Sequence, residues 1–233
     1  MDKIIGMGNA LVDVLVRIDD DSLLEKLHLP KGSMQLIQED TLSEIRKYTS
    51  GMKIHRSTGG SAGNTVCALA ALGANPGFIG KVGQDETGAF FGDTLRQRGV
   101  NALLATCDLP SGIASTFIST DGERTFGTYL GAAATLRAED LSRKMFAGYN
   151  YLYIEGYLLQ DHDLMLRAVQ LAKEEGLQVC LDMASYNVVE AERDFFDQLI
   201  VKYVDIVFAN ESEALAYTCL LYTSPSPRDR TRS

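Results

Sequence analysis

The residues best suited to chemistry are small and polar and lie at the start of a helix. Thr58-Gly59-Gly60-Ser61-Ala62-Gly63-Asn64-Thr65 runs straight into the apolar segment Val66 to Leu72. Paired glycines let a backbone approach a ligand closely, and the first turn of the following helix offers unpaired N–H groups to hydroxyl or phosphate oxygens. Asn64 adds a donor and an acceptor, which suits a polyhydroxylated ligand. The same spacing also fits a plain strand-to-helix turn with Asn64 as a local cap. Two other glycine runs fail as nucleotide loops. Gly6-Met7-Gly8-Asn9-Ala10-Leu11 has Leu11 where a dinucleotide fingerprint needs its third glycine, and this disfavours a dehydrogenase. Gly80-Lys81 is followed by Val82 and has Asn75 where a phosphate-binding P-loop needs its first glycine.

Elements to position these residues alternate along the chain. Short apolar runs predict strands at Lys3 to Gly8, Asn75 to Val82, Tyr149 to Glu155, Leu177 to Asp182 and Val204 to Ala209. Helical periodicity predicts helices at Ala62 to Leu72, Thr87 to Arg98, His162 to Glu175 and Val188 to Val201, with Phe90, Phe91, Leu95 and Val100 on one buried face. This alternation predicts a layered α/β/α fold with a mostly parallel central sheet. Four further β-segments, at about 11–18, 33–38, 113–120 and 125–130, predict a small β-sheet lid. The last two are joined by Asp121-Gly122-Glu123-Arg124, a hairpin turn in which glycine supplies the positive φ.

Composition narrows the partner. The 233 residues carry a formal net charge of -9, which argues against a nucleic-acid backbone and for a small molecule. Cys67, Cys107, Cys180 and Cys219 form no CxxC pair, and His28, His55 and His162 show no ligand spacing, so neither a disulfide framework nor a zinc site is expected. With no signal-peptide pattern and no long apolar run, a cytoplasmic protein is expected. Residues 219–233 break the pattern, with two prolines and three arginines in a short polar run. They resemble translated adapter sequence and are read as a non-native or disordered tail after a domain spanning 1–218.

Several motifs in a fixed order resemble the PfkB, or ribokinase-type, carbohydrate kinases. They are Gly8-Asn9-Ala10-Leu11-Val12-Asp13, Gly59-Gly60-Ser61-Ala62-Gly63-Asn64, Gly80-Lys81-Val82-Gly83 with Asp85 and Gly88, the Asp121 to Arg124 turn, Glu155-Gly156-Tyr157, and Asn210-Glu211-Ser212-Glu213. The resemblance covers the N-terminal two-thirds of such a kinase, with a lean toward adenosine-kinase-like members. It implies ATP-dependent phosphorylation of a sugar or nucleoside hydroxyl. By position it assigns Asp13, Gly59, Gly60, Asn64 and Glu155 to the acceptor, and Asn210 and Glu213 to organising Mg²⁺ and phosphate through water rather than as direct metal ligands. Each assignment has a plain structural counterpart: Asp13 as a solvated strand-end acid, Glu155 as a helix cap, Asn210 and Glu213 as a capping box. The resemblance further implies a homodimer through the lid. The family's Gly-Ala-Gly-Asp helix start, which supplies the catalytic base, does not occur in the sequence. The fragment is therefore expected to be inactive, the alternative being a non-catalytic sugar- or nucleoside-binding protein of the same fold.

Overall fold

The structure is a computed structural model that describes residues 3–218; the expected tail at 219–233 lies outside the described residues. The main layer is a parallel sheet built from β1 (Ile4–Met7), β5 (Gly77–Gly83), β6 (Asn101–Cys107), β9 (Tyr151–Glu155), β10 (Gln178–Asp182) and β11 (Ile206–Phe208). Their order is β11-β10-β9-β1-β5-β6. All five strands expected from the apolar runs are present. β5 is buried along nearly its whole length because a parallel sheet sandwiched by helices hides both faces.

Helices α3 (Ser61–Ala71) and α4 (Glu86–Gln97) cover one face of β1 and β5, with Val66, Phe78, Phe91 and Leu95 buried between them. On the other face, α5 (His162–Glu174) buries Leu164, Met165, Ala168 and Val169 against Leu152, Ile154 and Val179. Asp161 caps α5 by accepting from the Leu164 amide. The helix expected over Val188 to Val201 is two helices, α6 (Tyr186–Ala191) and α7 (Arg193–Lys202). Glu192 leaves helical geometry between them, and its carboxylate meets His162 at the start of α5. α8 (Glu211–Thr218) ends the described chain.

The lid is a five-stranded sheet in the order β3-β8-β7-β2-β4. Four of its strands are those expected: β2 (Leu11–Arg17), β3 (Met34–Leu36), β7 (Gly112–Ile118) and β8 (Arg124–Tyr129). Gly122 turns the β7–β8 hairpin at φ +87. The fifth strand, β4 (Ile54–Gly59), pairs antiparallel with β2 and delivers the chain to Gly60. Two short helices, α1 (Ser22–Lys26) and α2 (Glu39–Tyr48), pack Leu24, Leu42 and Ile45 against the sheet.

The Gly83-to-Gly88 motif is the joint between layer and lid. Asp85 accepts from the Gly88 amide and from the Ser111 amide and hydroxyl, tying the first turn of α4 to the start of β7. A Cβ on Gly83 would lie 2.3 Å from the Leu109 carbonyl oxygen, so only glycine fits there. Burial pushes the Asp85 carboxyl up, but the Ser111 and Gly88 donors more than offset it and hold it below the usual 3.8. A lowered folded pKa gives stability that is present above the ordinary value and lost as pH falls through the folded one. Asp85→Ala should therefore cost about 2 kcal/mol near neutrality by loss of the cap and its cross-link. Urea titrations should show the deficit shrinking below pH 4, as protonation weakens the wild type.

Candidate functional site

A cavity of about 600 Å³ opens between the underside of the lid and the C-terminal ends of the parallel strands, where open α/β sheets place their ligands. Its sheet side is polar, with Asn9, Ser61, Glu155, Ser185 and Asn187. Its lid side is apolar: Leu11, Met34, Leu36 and Leu130, facing Leu136 and Tyr157. Met34 and Leu36 are 50% and 59% exposed although they belong to a strand.

Glu155 ends β9 and is 1% exposed. One carboxylate oxygen accepts from the Asn9 amide at 2.7 Å and the Asn9 side chain at 2.8 Å. The other accepts from the Ala62 amide at 2.9 Å. Glu155 thus binds the end of β1 to the first turn of α3, where its charge also suits the positive end of the helix. Burial raises its pKa above the usual 4.5, the Ala62 and Asn9 donors oppose the rise, and the charge of Asp182 adds to it. A Cβ on Gly8 would sit 2.3 Å from the Glu155 carboxylate, which explains the glycine.

Asp182, at the end of β10 beside Glu155, holds the same helix start. It accepts from the Ser61 hydroxyl at 2.9 Å, from the Tyr153 hydroxyl at 3.0 Å and from the Ala184 amide at 3.2 Å. Ala184 adopts φ +65, a left-handed conformation rare outside glycine, and leads into the cavity residues Ser185 and Asn187. Gly60, at φ +79, sits where a Cβ would lie 2.4 Å from the Asn9 carbonyl oxygen. This close approach sets Gly60 and Ser61 in the cavity wall.

Of the residues expected at the site, Gly60 and Glu155 line the cavity wall. Asp13 shares a face of β2 with Leu11, and its carboxylate lies over Gly59, where a Cβ would be 2.1 Å from an oxygen. It has no hydrogen bond among the described residues, and burial alone raises its pKa. Asn64 is exposed, one turn into α3, outside the wall. Asn210 and Glu213 also stand outside it. The Asn210 amide and side chain donate to Glu213, and the Glu213 amide donates back to Asn210, a capping box at the start of α8. With their polar atoms engaged on each other, the two do not fit as direct magnesium ligands. No cluster of three or more metal-ligating side chains occurs among the described residues. Lys81 is likewise engaged, with Asp140 at 2.8 Å and the Thr135 carbonyl at 3.1 Å.

Sequence reasoning missed Asn9, Asp182, Ser185 and Asn187 as site residues. The signal that could have found Asp182 is its place at the end of a central parallel strand, next to Glu155.

No helix among the described residues is long and apolar enough to cross a membrane. Guanosine-inosine kinase of Escherichia coli (strain K12) is 26% identical over 229 residues, spanning 92% of this chain and 52% of that protein. The chain therefore spans about half the length of that relative. Adenosine kinase of Dictyostelium discoideum is 30% identical over 223 residues, covering 91% of this chain and 64% of that protein. The crystal structure of adenosine kinase from Sinorhizobium meliloti superposes with a TM-score of 0.82 at 34% identity, covering 95% of this chain and 68% of that one. The parallel sheet, the lid and the cavity between them accord with these likenesses. With residues 34–221 matching the family described as pfkB family carbohydrate kinase, the chain belongs to that family of sugar and nucleoside kinases.

Proposed function

We propose that the protein transfers the γ-phosphoryl group of ATP to a hydroxyl of a nucleoside, and that the present sequence holds the acceptor-binding part. The observation that carries this reading is the two-sided cavity. Its polar sheet side suits a ribose, and the Met34, Leu36 and Leu136 side suits an uncharged aromatic base. The names of the relatives support a nucleoside over a free sugar. In this reading the Gly60 backbone and Asn9 orient the ribose, and Asp13 accepts from its hydroxyls once the lid moves down. Glu155 holds the α3 start in place, with Gly59 and Asn64 flanking it. Asn210 and Glu213 reach Mg²⁺ and phosphate only through water, since each fills the other's direct contacts. ATP would supply the phosphoryl group. The catalytic base is assigned to the part of the protein outside residues 1–218, with 219–233 a non-native tail.

Isothermal titration tests the reading. Adenosine or guanosine should bind at least about tenfold tighter than ribose, since a buried base adds apolar area that ribose lacks. Equal affinity would overturn it. Asp13→Asn should weaken nucleoside binding by about 2–4 kcal/mol, the scale of lost charge-assisted hydrogen bonds. Because burial raises the Asp13 pKa, wild-type affinity should fall on acidification while the pH is still above the usual 3.8, and the Asn variant should lack this fall. A pH-independent wild type would return Asp13 to a solvated acid.

A further inference from the structure

A second cavity, of about 640 Å³, lies on the outer face of the lid sheet, opposite the site just described. Its floor is apolar because the positions that alternate with Asp13 point this way: Val12 and Val14 of β2, Ile54 of β4 and Ile113 of β7. Ile45 and Arg46 of α2 wall one side and Phe90 of α4 the other. α4 belongs to the α/β layer, whereas the other elements belong to the lid. An occupant would touch both.

The rim carries two guanidinium groups with little to do. Arg46 feels the charge of Asp85 but makes no hydrogen bond or ion pair among the described residues. Arg56 has Glu86 at 3.7 Å, and Glu86 is 92% exposed. The other rim acid, Asp85, has both carboxylate oxygens taken by Gly88 and Ser111. The rim groups with hydrogen bonds still to give are therefore the two guanidiniums, above an apolar floor, although two arginines and two acids leave the rim without net charge. The field of the two acids nearby disfavours a doubly charged head and leaves a singly charged one.

The geometry points to this cavity as a binding site for a small apolar monocarboxylate, its head held by Arg46 and Arg56 and its body lying over Val12, Val14 and Phe90. Arginine suits the head because its planar fork meets a carboxylate through two hydrogen bonds. The inference does not depend on what the front cavity takes.

Octanoate titrated into the ¹⁵N-labelled chain provides the test, with 1-octanol and octylammonium as charge controls. Saturable amide shifts are expected at Val12, Val14, Phe90 and Ile113. Arg46→Gln and Arg56→Gln should each weaken octanoate by about tenfold, or about 1.4 kcal/mol. Both side chains are exposed, so thermal midpoints should stay unchanged. The two controls should bind at least about tenfold more weakly than octanoate. Shifts confined to the sheet face around Tyr151 and Ile206 would overturn the assignment, as would unchanged affinity in both Gln variants. Octanol binding as tightly as octanoate would reduce the cavity to a greasy cleft, and preference for octylammonium would hand the rim to its acids; either result overturns it.

Discussion

Glu155→Ala is expected to destabilise the fold by about 3–5 kcal/mol, more than any other single change in the front site. Three N–H groups, two from Asn9 and one from Ala62, converge on this carboxylate from different elements. Removing it strands all three in a position 1% exposed and leaves a void beside Gly8, which has no side chain to fill it. Glu155→Gln keeps the volume but turns an amide NH₂ toward one donor, so a smaller loss, about 1–3 kcal/mol, should follow. Equilibrium urea unfolding decides between the two, and a loss under about 1 kcal/mol in the Ala variant would show that water replaces the carboxylate. The pH profile provides an independent check. Burial raises the folded pKa of Glu155 above 4.5, so its contribution is fully present below that value and declines as pH rises through the folded one. The wild-type curve should slope down across that window, and the Gln curve should be flatter.

The parts of this molecule legible from sequence are those whose pattern is local. β1, β5, β9 and β10 are buried strands and read as apolar runs; α5 reads from its 3.6 period, and the lid hairpin from Asp121-Gly122. β4 does not read, because its residues, Ile54 to Gly59, are mostly polar and it holds its place by pairing with β2 at a sheet edge. β6 is also an edge strand, only partly buried, without alternation to mark it. The site divides along the same line. Gly60 announced itself by its paired glycines, and the structure gives it the positive φ that such a pair implies. Asn64 was drawn in by its nearness in sequence to those glycines, yet the helix carries it one turn away, and Ser61 and the Ala62 amide hold the first turn instead. Asp182 shows only its place at a strand end; its partners Ser61 and Tyr153 lie 121 and 29 residues away, and only folding brings them together.

Supplied with ATP, Mg²⁺ and a panel of nucleosides and sugars, the chain as given is expected to show no phosphoryl transfer above background. Fusing the C-terminal third of the Sinorhizobium meliloti adenosine kinase after Thr218 is expected to restore turnover. A general base must reach the acceptor hydroxyl within about 3 Å and be free to take its proton. Among the described residues, the acids at the cavity wall are committed elsewhere. Glu155 accepts from three N–H groups, while Asp161 caps α5 and pairs with Arg137. Lys81 is held by Asp140. Loss of a positioned base lowers rate by about 10²–10⁴, and loss of amides preorganised around the transferring group by about 10²–10³ more. Together these lower turnover by about 10⁴–10⁷. The fused segment has somewhere to dock. All three residues of β11 are exposed, and Tyr151, Cys180 and Ile206 line an uncovered groove on the sheet face beside α3, in a class of sheet that is normally covered on both sides. Coupled phosphorylation assays on both proteins provide the measurement. Substrate-dependent turnover by the chain alone, abolished by Asp13→Asn, would place the base within residues 1–218 and overturn the assignment.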